Sequence, residues 1–320
     1  MFDWIQNLAN YITNSLLNLS GTHLGNAFNF FIYDSIKIFI LLILIVHLMT
    51  LINHFLPIEK IRDFLAKNKF YGFDYFLSAL FGAVTPFCSC SSIPMFVGFL
   101  KAGIPLGITF TFLITSPLIN EVAVALFIGL FGWKVTVIYV VSGMILGILG
   151  GFVIGKLKME NQVAEFVWKN NGTSNEIERE EIQLRNFVKQ VSKDSFALVW
   201  KIMPYVILGV AIGGVIHGFI PTGFFEKYIT KENPFAVPIA VILGIPMYAN
   251  ATSVIPIIQA LIAKGIPLGT GLAFMMAVVG LSLPEFLILK KVMKMKLLLT
   301  FFGVVGFFII ILGYFFNLVL

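Results

Sequence analysis

Apolar positions run through this chain in long blocks, not in the alternating or half-apolar patterns of a water-soluble fold. Four blocks, 36–56, 133–155, 197–220 and 297–318, are unbroken, and each reaches the ~20 residues a helix needs to cross a bilayer. Four more, 74–100, 104–131, 235–262 and 266–289, are apolar at both ends but interrupted near the middle. The interruptions read Thr85-Pro86-Phe87-Cys88-Ser89-Cys90-Ser91-Ser92, Ser116-Pro117, Pro246-Met247-Tyr248-Ala249-Asn250-Ala251-Thr252-Ser253 and Ser282-Leu283-Pro284-Glu285. Proline removes a backbone donor and crowds the preceding turn, so each interruption predicts a broken helix. Unwound backbone at membrane depth is tolerated only inside protein or beside a watery cavity. Ahead of these blocks, Ile5, Leu8, Ile12, Leu16 and Leu19 fall at helical spacing, which predicts an interfacial helix within an N-terminal segment 1–35.

Two membrane segments, 36–155 and 195–320, flank one hydrophilic linker, 156–194, and they resemble each other. Lys101-Ala102-Gly103-Ile104-Pro105-Leu106-Gly107 matches Ala263-Lys264-Gly265-Ile266-Pro267-Leu268-Gly269 at an offset of 162, which also carries Ser91, Ile93 and Pro94 onto Ser253, Ile255 and Pro256. Matches in one order at one offset predict an internal repeat. If every block crosses the membrane, the 22 Lys and Arg divide evenly between the two sides, against the tendency of basic residues to crowd the cytoplasmic face. If 74–100 and 235–262 are instead re-entrant hairpins, the same 22 divide 17 to 5. The expected fold is therefore all-α and polytopic in the cytoplasmic membrane, with two repeats of inverted orientation. Each repeat would hold plain transmembrane helices, a broken helix and a re-entrant hairpin, as in secondary transporters.

Composition narrows the classes further. The chain is 58% hydrophobic and 12% charged, with a mean hydropathy of +0.95, which excludes a soluble globular enzyme. The net charge of +6 records topology in such a chain, and no nucleic-acid partner is expected. No Gly-Lys-Ser or Gly-Lys-Thr phosphate loop occurs and no soluble domain is available to hold ATP, so an ion gradient or a partner subunit would supply energy. No cofactor is expected, and whether the chain pairs with a second copy is left open.

Chemistry concentrates in the interruptions. Cys88 and Cys90 are the only cysteines, too few for a disulfide framework or a four-cysteine zinc site. As a pair of soft thiols they suit one soft metalloid or metal centre, and as small apolar residues they suit packing in a helix break. Ser89, Ser91, Asn120, Asn250, Thr252 and Ser253 are the neighbouring polar candidates for holding a solute. Glu121 and Glu285 are the acidic residues placed deep in the predicted spans, and an intramembrane carboxylate is a candidate for proton coupling. Each also follows a proline, where a carboxylate favours the N-terminus of a restarted helix. Gly143, Gly147, Gly150, Gly151 and Gly155 line one span at close-packing spacing. His47 sits in a plain span, where a histidine commonly bonds a neighbouring carbonyl.

The run Thr85 to Pro94, followed by Gly98 to Gly107 and Ser116-Pro117-Leu118-Ile119-Asn120-Glu121, resembles the predicted permeases of the ArsP type. The second half carries that family's corresponding segment in Gly244 to Tyr248 and Pro267-Leu268-Gly269, so the resemblance extends over nearly the whole chain. Some members export trivalent organoarsenicals, which implies a membrane permease acting on a small solute, with soft metalloid species as leading candidates. The alternatives are a membrane thiol-redox carrier using Cys88 and Cys90, a channel, or a non-transporting subunit of a membrane complex. A thiol carrier built on two repeats would more naturally place one cysteine in each half, whereas both lie in the first.

Overall fold

The computed structural model describes residues 3–17, 22–55, 72–85, 89–101, 103–119, 121–164, 233–247 and 265–320, with scattered positions at 167, between 192 and 214 and between 254 and 262. Helices account for the regular structure there: α1 (Asp3–Asn10), a π-helical stretch (Tyr11–Leu16), α2 (His23–Phe55), α3 (Phe73–Val84), α4 (Ser89–Lys101), α5 (Leu106–Leu118), α6 (Glu121–Lys156), a 3-10 turn (Glu160–Gln162), α7 (Ala236–Gly244), α8 (Leu268–Gly280), α9 (Leu283–Val292) and α10 (Met295–Val319). Among the described residues there is no strand beyond one isolated bridge, Val163 to Met293. Three apolar stretches among the described residues, Ala123–Lys156, Leu268–Val292 and Met295–Val319, are long and apolar enough to cross a membrane. With 12 and 13 residues, α3 and α4 span ~20 Å of helix at most, short of ~30 Å of hydrocarbon.

Three element boundaries depart from the pattern along the chain. The first plain span begins at His23, not at residue 36, because the polar residues from Asn26 to Lys37 interrupt apolarity without breaking the backbone ladder. As a result, Asp34 is buried in α2. By contrast, the division between the expected blocks 104–131 and 133–155 is kept: α6 leaves helical geometry at Gly132 (φ 81°, ψ 171°), a conformation only glycine adopts freely, and so falls into two parts. Ser116 and Pro117 do not form the break but lie inside α5. Proline's missing donor and ring act on the turn behind it, and the helix leaves two residues later, closed by Ile119 N–H donating to Thr115 C=O at 3.0 Å. In the second half α8 ends at Gly280, so the break lies at Leu281 and Ser282, while Pro284 and Glu285 occupy the first turn of α9.

The offset of 162 governs packing as well as sequence. Gly103 (φ 80°) and Gly265 (φ 94°) turn the chain into α5 and α8, one residue-pair ahead of Pro105 and Pro267. Leu281 N–H closes α8 on Ala277 C=O at 3.0 Å, as Ile119 closes α5 on Thr115. Gly82 on α3 meets Phe112, Thr115 and Ser116 of α5, and Gly244 on α7 meets Phe274, Ala277 and Val278 of α8. The second part of α6 packs antiparallel to α5, with Gly155 beside Gly107 and Gly143 beside Ile119. The same arrangement recurs in α10 against α8, with Asn317 beside Gly269 and Gly306 beside Leu281. The glycine stripe on α6 therefore lets two backbones approach, as its spacing predicted.

The two sets of helices share one core. Leu118 at the end of α5 touches Gly280 at the end of α8, and the rings of Phe110 and Phe301 stand 5.4 Å apart. Just beyond α6, the start of the linker is fastened to the other half. Ala164 N–H donates to Val292 C=O at 2.8 Å and Lys294 N–H to Gln162 C=O at 2.7 Å, with Val163 and Met293 buried between them.

Candidate functional site

The two helix breaks face each other across the shared core. Here α5 stops at Leu118 and α8 at Gly280, and the two stops are in contact. On the first-half side, Tyr139 of α6 donates its hydroxyl to the terminal carbonyl of α5, Leu118 C=O, at 2.9 Å. On the second-half side, the residues that restart the helix carry the unsatisfied chemistry. Ser282 and Glu285 are each only 1% exposed, and among the described residues neither the Ser282 hydroxyl nor either Glu285 carboxylate oxygen has a hydrogen-bond partner. A buried carboxylate without a partner is costly in any low-dielectric setting. Its position in the first turn of α9 places it near the positive end of that helix, but it does not cap the turn.

Threonines near the break do not compete for that role. Thr111 and Thr115 are fully buried, yet they turn their hydroxyls back onto Gly107 C=O and Thr111 C=O, at 3.1 and 2.8 Å. Such back-bonding satisfies the hydroxyl inside its own helix. His47 likewise stands 2.8 Å from Ile43 C=O through Nδ1.

The sequence-predicted residues divide between those the structure places and those it does not. Glu285 is placed in the first turn of α9, just after the break. Ser89, Cys90 and Ser91 form the first turn of α4, the helix against which α9 packs, and Glu121 is the first residue of α6, but their side chains lie outside the described residues. Cys88, Asn120, Asn250, Thr252 and Ser253 also lie outside them. The backbone aligns Glu121 with Leu283, since both open the helix after a break at an offset of 162, so Glu285 corresponds to Ala123 and has no acidic counterpart. The pattern names Ser282 as the first residue of an interruption but not as a binding residue, and it does not single out Tyr139 at all. Ser282 was legible as a residue ahead of a helix-starting Leu-Pro, whereas nothing local marks Tyr139 as the partner of a carbonyl 21 residues away. Among the described residues no three His, Cys, Asp or Glu side chains gather into a metal-binding group.

Apolar helices of membrane-crossing length, with helix breaks buried against each other, define a helical membrane protein. Comparison with known proteins makes the assignment specific. The family described as predicted permease, of the ArsP type, matches residues 23–318, and the chain belongs to it. It is 24% identical to the UPF0718 protein MJ0584 of Methanocaldococcus jannaschii over 85% of this chain and 92% of that protein. It is 24% identical to the UPF0718 protein YraQ of Escherichia coli K12 over 78% of this chain and 68% of that one. A shorter stretch, 27% of this chain, is 28% identical to the UPF0718 protein YcgR of Bacillus subtilis 168. No solved structure matches.

Proposed function

We infer that this protein is a multi-pass secondary transporter of the cytoplasmic membrane that exports a small solute through a site where the two helix breaks meet. The observation that carries this reading is the buried, unpartnered Glu285 and Ser282 beside the contact of Leu118 with Gly280. Polar groups held without partners at a helix break are suited to a solute or a proton that comes and goes.

An inverted arrangement of the repeats is supported by direction. The end of α6 is tied through Gln162 and Ala164 to the start of α10, so these corresponding helices run in opposite senses. α5 and α8 then approach from opposite sides and meet tip to tip. Short α3 and α4, with α7 as the counterpart of α3, suit arms of re-entrant hairpins that bring Cys88 to Ser91 in one half and Asn250 to Ser253 in the other toward the same centre.

Trivalent organoarsenicals or other soft metalloid species are the leading solutes, on the strength of Cys88 and Cys90 and of their polar neighbours Ser89, Ser91, Asn120, Asn250, Thr252 and Ser253. Glu285 is the favoured proton carrier for coupling and Glu121 the second candidate. The test is accumulation of a trivalent organoarsenical in a sensitised host at matched membrane expression. Wild type should lower accumulation below the empty-vector level, Cys88→Ser with Cys90→Ser should abolish the effect, and Glu285→Gln should remove its dependence on external pH. Lowered accumulation that survives loss of both thiols would return the cysteines to packing. No lowering by wild type would remove this solute class.

A further inference from the structure

The residues that restart the helix after the second break, Ser282-Leu283-Pro284-Glu285, spell a capping box, with a serine just ahead of the helix and a glutamate at its third position. In a closed box the hydroxyl accepts from the N–H of the glutamate, and the carboxylate accepts from the N–H of the serine. Ser282 has the extended backbone that a cap requires (φ −66°, ψ 151°), yet its hydroxyl caps nothing. Neither carboxylate oxygen of Glu285 takes a partner among the described residues either. Both side chains are buried, so water does not replace the missing bonds. Two polar side chains one turn apart are thus held open where a local closure was within reach.

A separate observation concerns charge. On α9 the basic residues are Lys290 and Lys291, and α4 and α10, which pack against it, carry Lys101 and Lys296, with Lys294 at the joint of α9 and α10. All five are exposed, whereas Glu285 is not. The thiol of Cys90 on α4 and the carboxylate of Glu121 on α6 lie outside the described residues. Helix ends do not supply the missing charge: each break joins the C-terminal end of α5 or α8 to the N-terminal end of α6 or α9, so half-charges of opposite sign accompany each other. The break does supply oxygen. The ladder of α8 ends where Ala277 C=O accepts from Leu281 N–H, so the carbonyls of Val278, Val279 and Gly280 have no following turn to accept from. Carboxylate, hydroxyl and carbonyl are hard oxygen donors, suited to alkali and alkaline-earth cations and not to soft metals. A single carboxylate balances a single charge, which selects a monovalent ion.

We propose that Glu285 and Ser282, with the last carbonyls of α8, bind one sodium ion, which enters as the Glu285 carboxyl releases its proton. One positive charge replaces another, so the buried site never holds a bare carboxylate. The proposal rests on the reading of the meeting breaks as the transport site, and it names sodium as the ion exchanged there for the proton. Ala123 stands at the corresponding position of the first half, so one ion binds per chain.

The experiment is equilibrium binding of radioactive sodium to the purified full chain in detergent, at mildly alkaline pH, with choline chloride holding the ionic strength constant. Wild type should bind sodium saturably, one ion per chain, and acidification should compete with it. Glu285→Gln, which keeps size and shape, should lower the affinity about tenfold or more. Ser282→Ala should lower it several-fold, and Thr111→Ala, whose hydroxyl is satisfied inside α5, should leave it unchanged. Sodium in place of choline should also raise the melting temperature of wild type and not that of Glu285→Gln. No saturable binding by wild type would overturn the proposal. So would undiminished binding by Glu285→Gln, or a loss in Thr111→Ala equal to that in Ser282→Ala. Binding is read without any transported solute, so its absence removes the sodium site alone, while failure of the accumulation assay with binding intact removes the solute class and keeps the ion.

Discussion

Replacing Gly151 by alanine tests the packing that positions the first break. A methyl group there would point at the Thr111 hydroxyl and would lie 2.5 Å from Gly107 C=O and 2.8 Å from Thr111 N–H. Carbon approaches a carbonyl oxygen comfortably at about 3.3 Å, so α5 and α6 must separate by about 0.8 Å or strain locally. Thr111 cannot swing aside freely, because its hydroxyl donates to that same Gly107 carbonyl at 3.1 Å. Overpacking of this kind costs ~1–3 kcal/mol, while alanine returns up to ~1 kcal/mol of helix propensity. Gly303→Ala on α10 is the control, since nothing lies within 4 Å of its added methyl, and it keeps the propensity gain alone. The two variants should therefore differ by ~2 kcal/mol, about 30-fold in the ratio of folded to unfolded protein. Unfolding in mixed micelles by sodium dodecyl sulfate titration, followed by circular dichroism, reads the difference. Gly151→Ala with Thr111→Ala should recover only part of the loss, because the clash with the Gly107 carbonyl remains. Superimposable curves for Gly151→Ala and Gly303→Ala would refute the close approach of α5 and α6.

Two further perturbations address the centre and the linker. Tyr139→Phe removes the donor to Leu118 C=O and should cost ~0.6 kcal/mol, at most ~1.7, by the same titration; no measurable loss would mean that the carbonyl finds another donor at the break. Ala164→Pro removes the N–H that bonds Val292 C=O and should raise amide hydrogen exchange at Lys294 several-fold, without altering exchange at Leu281, which is closed within α8 on Ala277. Unchanged exchange at Lys294 would show that the linker does not hold the α9–α10 joint.

Much of this architecture was written in the order of residues. Blocks of apolar residues long enough to cross a bilayer fix a helical membrane protein, because lipid leaves the backbone no partner but itself. The offset of 162 was visible in Gly103 and Gly265 and in Pro105 and Pro267, since a positive φ and a helix-starting proline are demands of the local backbone. Glu285 was legible for a similar reason: a carboxylate inside an apolar block is conspicuous wherever the block folds.

Other features depend on what lies opposite. Pro117 marked a break that falls two residues later, because the final turn of α5 closes on Thr115 before the chain departs. Glu121 and Glu285 lie at nearly equivalent positions in sequence, yet the helix restarts after each break place Glu121 opposite Leu283. Asp34 reads as part of a polar N-terminal segment, and burial in α2 comes only from its neighbours. Sequence by itself determined that the chain forms apolar helices of membrane-crossing length and, to within about two residues, that helices end beside Pro117 and Pro284, because those follow from backbone hydrogen bonding and transfer from water, which act residue by residue. Only the tertiary structure decided that the two breaks meet at Leu118 and Gly280 and that Glu285 has no hydrogen-bond partner there among the described residues. Contact and satisfaction are properties of pairs far apart in the chain, and no local pattern encodes them.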